Sequence, residues 1–159
     1  MIKRFFVFAV MAATVVLAGC VATAPAKKTS LEIQAIQAKS VETTKAIAFN
    51  STMSVLQDLG YIIGSASIDT GFITAESPVE QDQSANAVLN QIFGGVRTEQ
   101  RTAVTATVEG IKENLTRIRL NFVVRQKRSG AYGQNAADDK PVEDVKVYQN
   151  AFEKIQEAI

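Results

Sequence analysis

The chemistry open to this chain is narrow. Its 159 residues include no histidine and a single cysteine, Cys20. Without histidine, Ser-His-Asp and Cys-His arrangements and most zinc sites are excluded, and a lone cysteine forms no internal disulfide. Hydrolysis would then fall to carboxylates or to a serine–lysine pair. Glu76, Glu99 and Glu109 share a polar strand face in the pattern described below, and glutamates on such a face are ordinarily solvated. Ser129 lies two residues after Lys127, and Asp138-Asp139 precedes Lys140, but neither arrangement has a sequence signature. The acidic group Asp138, Asp139, Glu143 and Asp144 lacks the alternating spacing and glycine of a calcium loop. Stabilisation of a helix start accounts for it, because the helix dipole favours negative charge there. No cofactor and no metal site is implied.

Two surfaces remain as binding candidates. Arg101, Arg117, Arg119 and Arg125, with Lys127, fall on the polar side of a strand pair, and Arg97 and Arg128 lie nearby. Such a face suits an anionic partner: a lipid headgroup, a lipopolysaccharide phosphate or a peptidoglycan carboxylate. The competing explanation is cross-strand pairing, with Glu109 facing Arg117 and Glu99 facing Lys127. Arg101 facing Arg125 fits neither unless something acidic sits over the pair. The second surface is Val88, Leu89, Ile92 and Phe93, set in a Gln/Asn/Ser-rich stretch. These side chains either tuck against the sheet edge or present an apolar spot to a partner. Tyr132, between Gly130 and Gly133, is an exposed aromatic anchor or part of a loop. With 17 basic against 16 acidic residues, the chain lacks the basic excess of a nucleic-acid binder.

The N-terminus places the protein. Lys3 and Arg4 precede twelve uncharged residues, Phe5 to Val16, and small residues lead to Cys20. This is the pattern of an export signal, too short for a spanning helix of about 20 apolar residues. Leu17-Ala18-Gly19-Cys20 resembles the lipobox of bacterial lipoproteins. The resemblance implies that the Cys20 thiol takes a diacylglycerol, that residues 1–19 are removed, and that the new amine is acylated. Two or three chains on Cys20 would make attachment effectively permanent, since each buried methylene contributes about 0.8 kcal/mol. Val21 follows, where an aspartate marks inner-membrane retention in enterobacterial lipoproteins. By that resemblance the outer membrane is favoured, with the domain in the periplasm. Residues 20–29 have no periodicity and form a flexible tether. Lys27 and Lys28 in this tether lie close to the bilayer, with a solvated linker as the simpler role.

Residues 30–159 form one domain, large enough to bury roughly two thirds of its unfolded surface. Leu31 to Val41 alternates loosely as a first strand. Thr43 or Thr44 caps a helix ending at Leu59-Gly60, with Ala46, Phe49, Met53, Leu56 and Leu59 as its apolar stripe. Tyr61–Ile68 and Phe72–Ser77 form a hairpin around Asp69-Thr70-Gly71, with Ile68 opposite Ile73 and Ala66 opposite Ala75. Between the hairpins, Pro78 to Val96 is an insertion in which Ser84 caps a short helix. A second hairpin pairs Val108 with Ile118, Ala106 with Leu120 and Val104 with Phe122. Its loop is Lys112-Glu113-Asn114, Asn114 being left-handed. After a loop from Ser129 to Lys140, Pro141 opens a last helix. Its stripe is Val142, Val145, Tyr148, Phe152, Ile155 and Ile159.

Strands with one apolar face and two amphipathic helices predict a two-layer α+β domain: an antiparallel sheet of four to five strands with both helices on one face. The element order resembles the helix-grip domains of small bacterial envelope lipoproteins, such as the peripheral lipoprotein of the β-barrel assembly machinery. That resemblance carries no functional residue over. The expectation is a membrane-anchored, non-enzymatic interaction or assembly module with an envelope protein partner. The alternatives are a binding module for an anionic envelope component and a cell-wall hydrolase.

Overall fold

A computed structural model describes residues 29–81, 97–130 and 135–159. The first element corrects the expectation of a strand from Leu31. Thr29 caps helix α1 (Ser30–Gln37), its hydroxyl accepting the Glu32 N–H at 3.3 Å while the Glu32 carboxylate accepts the Thr29 N–H at 2.7 Å. This reciprocal box, ahead of Gln- and Ala-containing sequence, outweighs a loose alternation of apolar residues. None of the α1 side chains is buried, and strand β1 (Ala38–Val41) follows directly. Helix α2 (Lys45–Asp58) is capped by Thr44, and Gly60 takes a φ of 85° just beyond it.

Strands β2 (Ile62–Ser67) and β3 (Phe72–Glu76) form the first hairpin. Its register differs by two residues from the expected one, with Ala66 opposite Ile73 and Ser67 opposite Phe72, and it shifts between Ile63 and Ser65. From Ser65 on, a slip of two leaves each residue on its own face, so Ile73 and Ala75 are still buried, while beyond the shift Ile63 moves to the core face opposite Ala75. Ile68 moves into the turn and is 42% exposed. Gly71 ends that turn at φ 71°, where an added Cβ would lie 2.0 Å from the Val108 carbonyl oxygen.

The short β4 (Glu80–Gln81) leads to the long pair β5 (Arg97–Lys112) and β6 (Leu115–Ser129). Val104–Phe122, Ala106–Leu120 and Val108–Ile118 face each other as expected. The loop does not follow the expectation. Lys112 pairs with Leu115, which leaves Glu113-Asn114 as a two-residue turn. The extra residue is absorbed by a register shift between Gly110 and Lys112, and Asn114 keeps a negative φ.

The Ser129–Lys140 loop and the helix start at Pro141 are also corrected. Strand β7 (Asn135–Pro141) pairs with β6, and helix α3 (Val145–Glu157) begins after Asp144, whose carboxylate accepts the Lys146 N–H at 2.9 Å. Asn135–Pro141 has no apolar alternation because all seven residues are exposed. Its aspartates and its proline are what a solvent-facing edge strand carries.

The result is a mixed α+β fold with an open antiparallel sheet. The path β1-β6-β5-β3-β2 has five strands, and β4 and β7 pair with the outer half of the β5–β6 hairpin. The core joins Phe49, Val55 and Leu56 of α2 and Tyr148, Phe152 and Ile155 of α3 to one sheet face, where Ile73, Val104, Ile118, Leu120 and Phe122 are nearly fully buried. Tyr148 packs edge-on against Phe122 at 5.3 Å between ring centres. Two buried hydroxyls complete the layer: Thr52 donates to the Ala48 carbonyl at 2.7 Å, and Thr116 donates to the Thr43 carbonyl at 2.8 Å.

Candidate functional site

Alternation along β5 and β6 sends the even-numbered residues into the core and the odd-numbered ones to the opposite face of the sheet. All four candidate arginines lie on that outer face, but the fold divides them into two pairs with different surroundings.

At the outer half of the hairpin, Arg101 and Arg125 are cross-strand neighbours. The acid that this like-charge pair requires comes from the chain itself. Glu76 of β3 holds Arg101 Nη1 at 3.0 Å through one carboxylate oxygen and Arg125 Nη1 at 2.7 Å through the other. Asp139 of β7, opposite Arg125, lies 3.7 Å from its Nε. Glu99, Lys127 and Asn135 join Arg101, Arg125 and Asp139 around a shallow depression of about 300 Å³. Three cations thus meet three carboxylates, and the charge is locally balanced. All the paired side chains are about half exposed, so water screens them and each contributes little to stability.

At the other end, Arg117 and Arg119 face Glu109 and Thr107 on β5, and Ser40 and Ala38 on β1. These four residues of β5 and β6 outline a second shallow depression of about 270 Å³. The expected Glu109–Arg117 and Glu99–Lys127 facings are present in the register. Among the described residues, however, neither the Arg117 nor the Arg119 side chain makes an ion pair or hydrogen bond.

The remaining carboxylates are dispersed. Asp138 pairs with Lys140 at 3.1 Å, Asp139 faces Arg125, and Asp144 caps α3. Glu76, one of the three carboxylates weighed for glycosidic cleavage, is held by two guanidiniums. Among the described residues no group of three or more metal-ligating side chains converges.

No protein-family model matches the chain, and no curated protein matches it. The residues must therefore be judged on their own geometry. Cys20, the apolar group Val88, Leu89, Ile92 and Phe93, the helix start at Ser84, and Tyr132 lie outside the described residues.

The bridging role of Glu76 did not follow from the sequence pattern. Glu76 was visible as a polar-face carboxylate, but its contact with the arginines depends on β3 pairing with β5, where it sits opposite Ala103, next to Arg101 on the same face. The demand for an acid was legible from the Arg101–Arg125 facing; its source was not. Asp139 was hidden for a second reason, since β7 carries no strand signal.

Proposed function

We propose that this protein is a bacterial envelope lipoprotein whose α+β domain, helix-grip-like in arrangement, acts as a non-enzymatic interaction or assembly module. The observation that carries the proposal is Leu17-Ala18-Gly19-Cys20 at the end of a charged-then-apolar leader. Acylated Cys20 holds the mature chain at the membrane, the outer membrane by the Val21 criterion, with the domain in the periplasm. Removal of residues 1–19 takes Lys3 and Arg4 away and leaves a net charge of −1.

The fold supports this reading in two ways. The first described element, the helix capped by Thr29, begins ten residues into the mature chain. A tether of that length spans at most about 35 Å, which confines the domain to a thin layer above the bilayer. Confinement raises local concentration, so a weak contact with another envelope protein becomes effective. The outer sheet face also offers a broad polar surface on rigid strands, the kind of platform a protein partner uses.

The test is photo-crosslinking in intact cells from outer-face positions such as Thr105 and Asn121, followed by identification of the trapped neighbour. A specific envelope protein is expected, trapped less when Leu89 and Phe93 are replaced by serine. Trapping of bulk cytoplasmic proteins, or of nothing above background at any outer-face position, would overturn the proposal.

A further inference from the structure

We propose that Arg117 and Arg119 form a docking point for the phosphate groups of anionic lipids in the membrane that carries the protein. This rests on the lipoprotein reading and assigns one end of the outer face to the bilayer itself.

The geometry points there by contrast. Four arginines share the face, and two of them are neutralised internally, Arg101 and Arg125 by Glu76 and Asp139. Arg117 and Arg119 are exposed and, among the described residues, reach no carboxylate, though Glu109 faces Arg117 across the strands. Their other neighbours are small: Thr107 and Ala38 flank Arg119, and Ser40 flanks Arg117 on β1. Two residues apart on one strand, they stand about 7 Å apart and can contact separate phosphates. Guanidinium also binds phosphate through paired N–H donors, which favours it over an ammonium at such a point.

In sequence, this end of the sheet lies nearest the anchor. Helix α1 is eight residues long, about 12 Å, and runs straight into Ala38, the residue opposite Arg119. The arginines therefore lie on the strand pair nearest in sequence to the lipid. At this end two arginines meet one glutamate.

The experiment uses the mature lipidated chain in vesicles. Because the Cys20 sulfur is blocked by lipid, Ser40→Cys gives a single labelling site beside the arginines. An environment-sensitive fluorophore there reports contact with the bilayer. Contact is expected on vesicles containing one third phosphatidylglycerol, not on pure phosphatidylcholine, and is lost as salt rises. Near an anionic leaflet each basic residue contributes about five-fold, so Arg117→Gln with Arg119→Gln should lower the docked-to-undocked ratio roughly 30-fold. Arg101→Gln removes one positive charge from the same face, beside Glu76, and should leave docking unchanged.

Equal contact on both vesicle types, or an equal loss in Arg101→Gln, would overturn the assignment. So would selective release by sodium phosphate over sodium chloride at matched ionic strength, which would indicate a soluble-phosphate site. Flotation with neutral vesicles reports the Cys20 anchor alone, so failure of the anchor and failure of the docking point are read separately.

Discussion

The Tyr148 hydroxyl accepts the backbone N–H of Phe122 at 3.4 Å, in the stretch of β6 between its β1 and β7 partners. The same hydroxyl donates to the Val142 carbonyl at 2.9 Å, and the Val142 N–H donates to the Phe122 carbonyl at 2.9 Å. A helix side chain thus completes a sheet edge where no strand lies. Tyr148→Phe keeps the ring and removes the oxygen, leaving a buried N–H without its partner. The expected loss is about 1–2 kcal/mol in urea unfolding, with the slope unchanged. An unchanged midpoint would show that the hydroxyl does not hold this edge.

Glu76 bridging Arg101 and Arg125 gives a salt-dependent prediction. Glu76→Gln leaves two guanidiniums facing each other, with Asp139 the remaining ion-pair partner of Arg125 among the described residues. At low salt the variant should lose about 0.5–1 kcal/mol, kept small by the half-exposed setting. The gap between variant and parent should close as the screening length shrinks from about 30 Å at 0.01 M to about 3 Å at 1 M salt. A gap that persists at high salt would mean Glu76 acts through packing.

Two glycines with positive φ separate conformational strain from steric exclusion. Gly60 has φ 85° and nothing within 4 Å of an added Cβ; Gly71 has φ 71° and the Val108 carbonyl oxygen 2.0 Å away. That carbonyl sits so close because the Val108 N–H donates to the Gly71 carbonyl at 2.7 Å, docking the turn onto β5. Gly60→Ala should cost about 1–2 kcal/mol, the left-handed penalty alone. Gly71→Ala should cost a further 1–3 kcal/mol, roughly, for the forced displacement. Thermal or urea unfolding measures both, and equal losses would contradict the docked turn.

Burial raises the Tyr61 phenol above its ordinary value of 10.0. The folded state therefore holds that proton more tightly than the unfolded chain does. The associated stability is fully present below about pH 10 and is lost as pH rises through the raised value. Tyr61→Phe should flatten the fall in unfolding midpoint between about pH 9 and 11. A variant that falls as steeply as the parent would show that Tyr61 does not carry the effect.

What was legible in the sequence follows a physical line. The β5–β6 register could be read because Val104, Ala106 and Val108 alternate against Ile118, Leu120 and Phe122, and a one-residue slip would expose them all. Helix α2 could be placed by its cap and by Gly60, but its apolar stripe was only half of its buried face. Thr52 lies in the core with its hydroxyl turned onto its own backbone, and Ala46 is exposed. The β2–β3 register was not fixed, because the exposed β2 has no pattern for a two-residue slip to violate. Strand β7 was invisible for the same reason: a strand that buries nothing has no periodicity to read. Of the candidate site, the shared face of the arginines was legible from alternation. Their division into a balanced and an unbalanced pair was not, since it depends on β3 and β7 lying beside the hairpin.

The mass of the mature protein is the most direct test of the proposed lipid on Cys20. The protein extracted from membranes of a bacterial host should begin at Cys20 and weigh more than the chain from Cys20 to Ile159 by a diacylglyceryl group, with or without a third acyl chain. Cys20→Ser should retain residues 1–19 and carry no such mass. A mature chain with an unmodified Cys20, or one cut elsewhere, would contradict the lipid anchor and the membrane docking built on it.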